Sequence, residues 1–206
     1  MSFPDDKFDD IAAFSDAYFD QIARAAASVD RAALIRAADI LENTYRRSDT
    51  LYVCGNGGSA AISGTFVCDH SKLVQTDTDL TARVVNLADN MSMVTAIAND
   101  LSYDDIFSYQ LQTLANSGDT LLTISASGDS ENVVRAAKWA KDREMKVIAF
   151  TGFDGGRMAS LASAHLHVDA DNYGVVEDVH QSLMHLLAQF IRLKQMSAEL
   201  IGKRKF

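Results

Sequence analysis

With one proline and two cysteines in 206 residues, the chain is short of both chain breakers and cross-links. The single proline, Pro4, sits near the start, and no Gly/Ser-rich, low-complexity or composition-shifted stretch follows that would mark a linker. One domain over 1–206 is expected, and the length suffices for a full α/β core. Cys54 and Cys68 sit in apolar stretches, have no metal-type spacing and are too few for a disulfide framework, so they read as free thiols of a reducing compartment. Basic residues are outnumbered, 19 Lys and Arg against 28 Asp and Glu, for a net charge of −9. That balance excludes the basic stripe of a nucleic-acid binder, although backbone dipoles would still hold an anion locally. No apolar run reaches membrane-spanning length, and the acidic opening MSFPDDKFDD offers no export signal. A cytoplasmic protein is the expectation.

What is present is periodicity that changes along the chain. Residues 1–47 carry helical stripes, Phe8, Ile11, Phe14 and Phe19 on one helix and Leu34, Ile35, Ala38, Ile40 and Leu41 on the next, with Asp30 placed as an N-cap. These stripes leave two readings open: packing on the chain's own sheet, or helix exchange between copies of the chain. From Thr50 the pattern shifts to short apolar runs at Thr50–Cys54, Ala82–Leu87, Thr120–Ser125, Lys146–Thr151 and His165–Val168. Helical stretches separate them, notably Ser92–Ala98, Asp104–Ala115 and Ser130–Arg143, and a long striped helix with a break runs from Gly174 to Ile201. Strands alternating with helices predict a parallel sheet covered on both faces, an α/β core over 48–206 preceded by a helical hairpin.

Two loops follow apolar strands and precede helices. Gly55-Asn56-Gly57-Gly58-Ser59-Ala60 is small enough for a ligand to approach the backbone, and Ser125-Ala126-Ser127-Gly128-Asp129-Ser130 offers three hydroxyls around a glycine. One such loop is an ordinary strand-to-helix turn. Two of them, both beyond the carboxyl ends of parallel strands, point to an anionic ligand held by hydroxyls and amides. Gly55, Gly57 and Ala60 also match the looser dinucleotide pattern G-x-G-x-x-A, but two helices precede this strand, and Asp77 and Asp79 lie in a polar turn, not at the end of the next strand.

The segments CGNGGSAA (54–61), TAIANDLSYDDIF (95–107), ISASGDSENVVRAA (124–137), TGFDGG (151–156) and EDVHQSLMH (177–185) together resemble the successive signatures of the phosphoheptose isomerases, which are built on the SIS (sugar isomerase) domain. The resemblance covers most of the chain. It implies a three-layer, flavodoxin-like five-stranded parallel sheet and a homotetramer with active sites between subunits. It also implies conversion of sedoheptulose 7-phosphate to a heptose 7-phosphate in heptose synthesis. By the same resemblance Asn56, Gly57, Gly58 and Ser59 hold substrate, Asn99 and Asp100 contact the sugar, and Ser125, Ala126, Ser127 and Ser130 take the phosphate. Ala126 stands where the family has a threonine, so a backbone N–H replaces a hydroxyl there.

The chemical centre departs further from the family. Thr65 and Asp69 occupy the positions of a family histidine and glutamate that face a metal, and four residues apart they share one helical face. Glu177 replaces a glutamine ligand, while His185 matches the family's catalytic histidine. The resemblance therefore implies Asp69 as base, His185 as acid, and Asp69, Glu177 and His185 around a divalent metal, zinc in the family, with Thr65 left at the substrate. Two carboxylates and one imidazole would equally suit manganese or non-haem iron. An aldose–ketose isomerase needs such a base and acid. The competing expectation is a non-catalytic SIS module that binds a sugar phosphate or a protein, like the initiator-association relatives that lack the catalytic carboxylate.

Overall fold

Two aspartates start the first two helices. Asp10 accepts from the backbone N–H of Ala13 and opens α1 (Ile11–Ser28); Asp30 accepts from Ala32 and Ala33 and opens α2 (Arg31–Arg46), the cap its position predicts. The computed structural model describes residues 3–206, so the first two residues of the 1–206 domain lie outside it. Ala33, Ala37, Leu41 and Tyr45 of α2 are buried within the chain. The outer stripe is not: Ile11 is 80% exposed, Phe19 64% and Ile35 63%. The hairpin thus divides its apolar residues between the chain's own core and an uncovered outer face.

Five strands follow, β1 (Thr50–Gly55), β2 (Arg83–Asn86), β3 (Thr120–Ser125), β4 (Lys146–Thr151) and β5 (Ala164–His167). They form one all-parallel sheet in the order β2-β1-β3-β4-β5. Alternate residues of a strand point to opposite faces. Leu51, Val53, Leu122, Ile124, Ile148 and Phe150 therefore join a core with α2, α3 (Gly57–Cys68) and α7 (Tyr173–Gln195). Tyr52, Cys54, Leu121, Val147 and Ala149 meet α4 (Met91–Asp100), α5 (Ser108–Leu114) and α6 (Glu131–Lys141) on the other side. The chain closes with α8 (Ala198–Ile201), after the break expected in the last helix. This is the expected three-layer architecture with its helical pair.

Three expectations shift locally. The helix expected over Asp104–Ala115 is a 3-10 turn (Tyr103–Asp105), capped by Ser102, followed by α5, and the joint buries Ile106 and Phe107. β5 starts one residue before the expected His165. Cys54 is buried, which raises its thiol pKa, but Cys68 is exposed and not in the apolar setting expected of it.

In the order 2-1-3-4-5 the chain leaves β1 toward one edge and β3 toward the other, so a crevice opens beyond their carboxyl ends. Both serine- and glycine-bearing loops lie there.

Candidate active site

The first loop is one residue long: β1 ends at Gly55, Asn56 is the N-cap, and α3 begins at Gly57 with φ +53°. The second loop folds on a hydrogen bond from Gly128 N–H to the Ser125 carbonyl at 3.0 Å, with Gly128 at φ +64°. A Cβ at Gly128 would collide with the Gly155 carbonyl, so glycine is required both by the backbone angle and by the approach of the next loop. The cap Ser130 starts α6 without a side-chain capping bond, and Asn56 likewise does not cap α3. Both polar groups are therefore available for other partners.

Asn56, Ser59, Ser125, Ala126, Ser127, Ser130 and Glu177 line one cavity of about 120 Å³, with Tyr173 at its rim. No lysine or arginine lines it. The positive potential comes from the N-termini of α3 and α6, whose first N–H groups have no partners within their own helices. Arg157, the nearest cation to the second loop, is engaged elsewhere. It donates to the Asp129 carboxylate, to the Asp129 carbonyl at 2.8 Å and to Glu131 at 2.7 Å. Arg135 and Arg157 hold Glu131 down to about 2, and Arg157 holds Asp129 below the usual carboxylate range. These pairs brace the loop from outside and leave its hydroxyls to the ligand. Glu177 sits over the start of α3, where a Cβ at Gly58 would strike its carboxylate.

The second group of candidates gathers elsewhere. Asp69 follows the last residue of α3, at the start of a π-helical turn (Asp69–Leu73), a rare widening that often accompanies function. Its Oδ2 lies 2.5 Å from His185 Nδ1 on α7, and the Gln181 side-chain amide is 2.9 Å from His185 Nε2. The pair borders a wider hollow of about 490 Å³ with Cys68, Lys72, Leu73, Gln189 and Phe206. His70, the neighbour of Asp69, turns into the core, where it stacks on Phe66 and shares a hydrogen bond with Tyr45 at 2.7 Å. Burial pushes it down to about 3, so it is neutral.

Twelve residues of helix separate Gly57 from Asp69, about 18 Å, and eight separate Glu177 from His185, about 12 Å. The expected metal group is therefore not assembled within one chain: Asp69 and His185 meet, and Glu177 stands at the phosphate cavity. Among the described residues no three His, Cys, Asp or Glu side chains converge as a metal site. Thr65 supplies no ligand either; its hydroxyl bonds back to the Ala61 carbonyl at 3.3 Å. Asn99 and Asp100 are exposed at the end of α4, bonded to each other at 2.8 Å, and do not line the cavity. Conversely, Asn132, Tyr103 and Tyr173 belong to the site although no sequence signal singled them out: Asn132 and Tyr103 hydrogen-bond to Asn56 across 76 and 47 residues.

The model of the SIS domain family matches residues 17–152. A probable phosphoheptose isomerase of Thermoplasma acidophilum is 36% identical over 174 residues, 84% of this chain and 95% of that one. The chain belongs to the phosphoheptose isomerase family of SIS-domain proteins. The fold agrees: the phosphoheptose isomerase structure from Neisseria gonorrhoeae superimposes with a TM-score of 0.80 at 32% identity, covering 88% of this chain and 98% of that one. That from Francisella tularensis gives 0.81 at 28%, covering 89% and 96%. In this chain the serine-bearing loops line one cavity, and Asp69 with His185 border a separate, wider hollow. No helix among the described residues is long and apolar enough to cross a membrane.

Proposed function

We propose that this chain is an aldose–ketose isomerase of sugar phosphates, acting on sedoheptulose 7-phosphate to give a heptose 7-phosphate; its relatives are named phosphoheptose isomerases. The observation that carries this reading is the 2.5 Å contact of Asp69 with His185 in a chain that also carries a cation-free, hydroxyl-lined cavity at two helix N-termini. Asp69 keeps one carboxylate oxygen on His185 and has the other free. That oxygen removes the proton from the carbon beside the ketose carbonyl. His185, its Nδ1 hydrogen on Asp69, accepts from the Gln181 amide at Nε2 in the free chain. In its imidazolium form, with substrate in place of that amide, it donates a proton from Nε2 to the carbonyl oxygen, and an enediol forms. Asp69 then returns its proton to the former carbonyl carbon while His185 recovers one from the neighbouring hydroxyl. Two groups thus shuttle two protons with no net change in either.

The separation of about 18 Å along α3 favours an active site shared between copies, with the cavity of one chain facing the pair of another. We assign the homotetramer implied by the family to this chain, with the uncovered Ile11, Phe19 and Ile35 in its interfaces. A divalent ion, zinc by resemblance, does not fit the donors of a single chain; Glu177 would have to come from a second copy, and no step above runs through a metal. Metal analysis of purified, active protein tests that assignment. The same separation supports the second reading, a sugar-phosphate-binding module without turnover, because the binding half is complete alone. Incubation with sedoheptulose 7-phosphate, followed by NMR for an anomeric aldose signal, decides between them: turnover that disappears in Asp69→Asn supports the isomerase, and binding without turnover supports the module.

A further inference from the structure

Asn132, the second residue of α6, is 2% exposed, and its amide orientation is determined by its neighbours. Its Oδ1 accepts the backbone N–H of Val133 at 2.9 Å. A peptide N–H can only donate, so this contact fixes which end of the Asn132 amide is oxygen. The same oxygen accepts from Asn56 Nδ2 at 2.9 Å, and Asn132 Nδ2 donates to Asn56 Oδ1 at 3.0 Å. A reciprocal amide pair therefore ties the first ligand loop to the start of the helix that follows the second. From a third segment the Tyr103 hydroxyl donates to the same Asn56 oxygen, also at 3.0 Å.

Counting the valences of Asn56 gives the consequence. Its carbonyl oxygen accepts two donors, and one of its two amide hydrogens is on Asn132, which leaves a single N–H for the cavity that Asn56 lines. An asparagine free to flip would offer a ligand either an acceptor or a donor. We infer that Asn132 and Tyr103 are positioning residues that lock Asn56 as a hydrogen-bond donor toward an oxygen of the bound sugar phosphate. This deepens the isomerase reading and rests on it for the identity of the ligand. The lock also holds the N-termini of α3 and α6 at one spacing, so both aim at the same anion.

Tyr103 is 54% exposed, so removing its hydroxyl leaves the core intact and makes the lock testable without unfolding. The experiment measures KM and kcat for sedoheptulose 7-phosphate, and the Kd for inorganic phosphate by calorimetry, in the full chain. The variants are Tyr103→Phe, Asn132→Ala, Asn56→Ala and the double variant Asn56→Ala/Tyr103→Phe. Tyr103→Phe is expected to raise KM or the phosphate Kd about fivefold, the scale of one hydrogen bond, with kcat held. Asn132→Ala should raise it further while its melting curve stays cooperative. In the Asn56→Ala background the tyrosine substitution should add nothing, because its effect passes through Asn56. An undiminished effect of Tyr103→Phe in that background, or none in wild type, overturns the lock. If wild type turns over no heptulose phosphate, the isomerase reading fails, and the phosphate titration of the same four variants still decides whether Asn56 is held as a donor.

Discussion

The two ends of α3 differ in kind. At its N-terminus, a small cavity of about 120 Å³ is formed by two loops, two helix starts and the amide pair that ties them, all from one chain. At its C-terminus, Asp69 and His185 border a hollow of about 490 Å³, four times larger, with His185 43% exposed. In the proposed reading the first end grips an anion through backbone dipoles that any parallel sheet of this order offers at its switch point. The second depends on side chains from two helices and on whatever covers the hollow. On that reading, binding is a property of the fold and chemistry a property of the assembly. Each prediction below separates the two.

The largest effect belongs to the open end. Asp69→Asn keeps the shape of the side chain and removes the base, so turnover of sedoheptulose 7-phosphate should fall by about a thousandfold, while the phosphate Kd changes less than twofold. Steady-state kinetics alongside calorimetry checks both halves. A loss of phosphate affinity equal to the loss of turnover would mean that the two ends are not separate.

Next comes the assembly. Ile11 and Phe19 are exposed in the single chain, so replacing both with glutamate should leave the fold intact and break a subunit contact. Light scattering should report a smaller particle, and turnover should drop about a hundredfold, as when a catalytic group is mispositioned. Phosphate binding should persist. A particle of unchanged mass would remove α1 from the interface.

At the N-terminal end of α3, Ser127→Ala deletes one hydroxyl from the cavity. Its expected cost is about 1–2 kcal/mol in phosphate or sugar-phosphate affinity, the range for a hydrogen bond to a charged group, with kcat unchanged at saturation. The hydrogen bond of the turn itself survives, since Gly128 N–H bonds to the Ser125 carbonyl; the 3.3 Å bond from Asp129 N–H to the Ser127 hydroxyl is lost with the side chain.

Which end was legible in the sequence follows from how local each is. The strands announced themselves as apolar runs, β1 and β3 ending in Gly55 and Ser125, and Ser125, Ser127 and Ser130 lie within six residues, so loop chemistry and fold class could be read together. The partners of those loops could not be read. Nothing local to Asn132 says that it meets Asn56, because the pairing is made by the β1–β3 register. The metal group is not assembled within one chain for a related reason: Glu177 and His185 share a helix and a motif, yet a straight helix holds them about 12 Å apart. His70, next to Asp69, turns inward, and the π turn that seats both has no signature in composition.

The smallest effect compares the two ends through the neutral histidines behind them. His70 lies beneath the Asp69 turn and is pushed down to about 3 by burial. His180, beneath the end of β4, lies 3.2 Å through Nε2 from the Thr151 carbonyl and is pushed down to about 4, again by burial. An unfolded histidine titrates near 6.5. Both folded values lie below that, so the unfolded chain binds more protons as pH drops. The stability these groups contribute is complete above pH 6.5 and is lost progressively as pH falls toward 4 and 3. Between pH 7 and pH 6 the two together should cost about 1 kcal/mol, visible as a lower melting temperature with activity at saturation little changed. His180→Gln should remove about half of that dependence and His70→Gln the other half. His70→Gln should also disturb the Asp69–His185 contact, because His70 Nε2 lies 3.4 Å from the Met184 carbonyl, one residue before His185. A flattened pH dependence with kcat lowered only in His70→Gln would place that histidine on the catalytic side of the molecule and His180 on the binding side. Equal kcat losses in both would erase the distinction between the two ends.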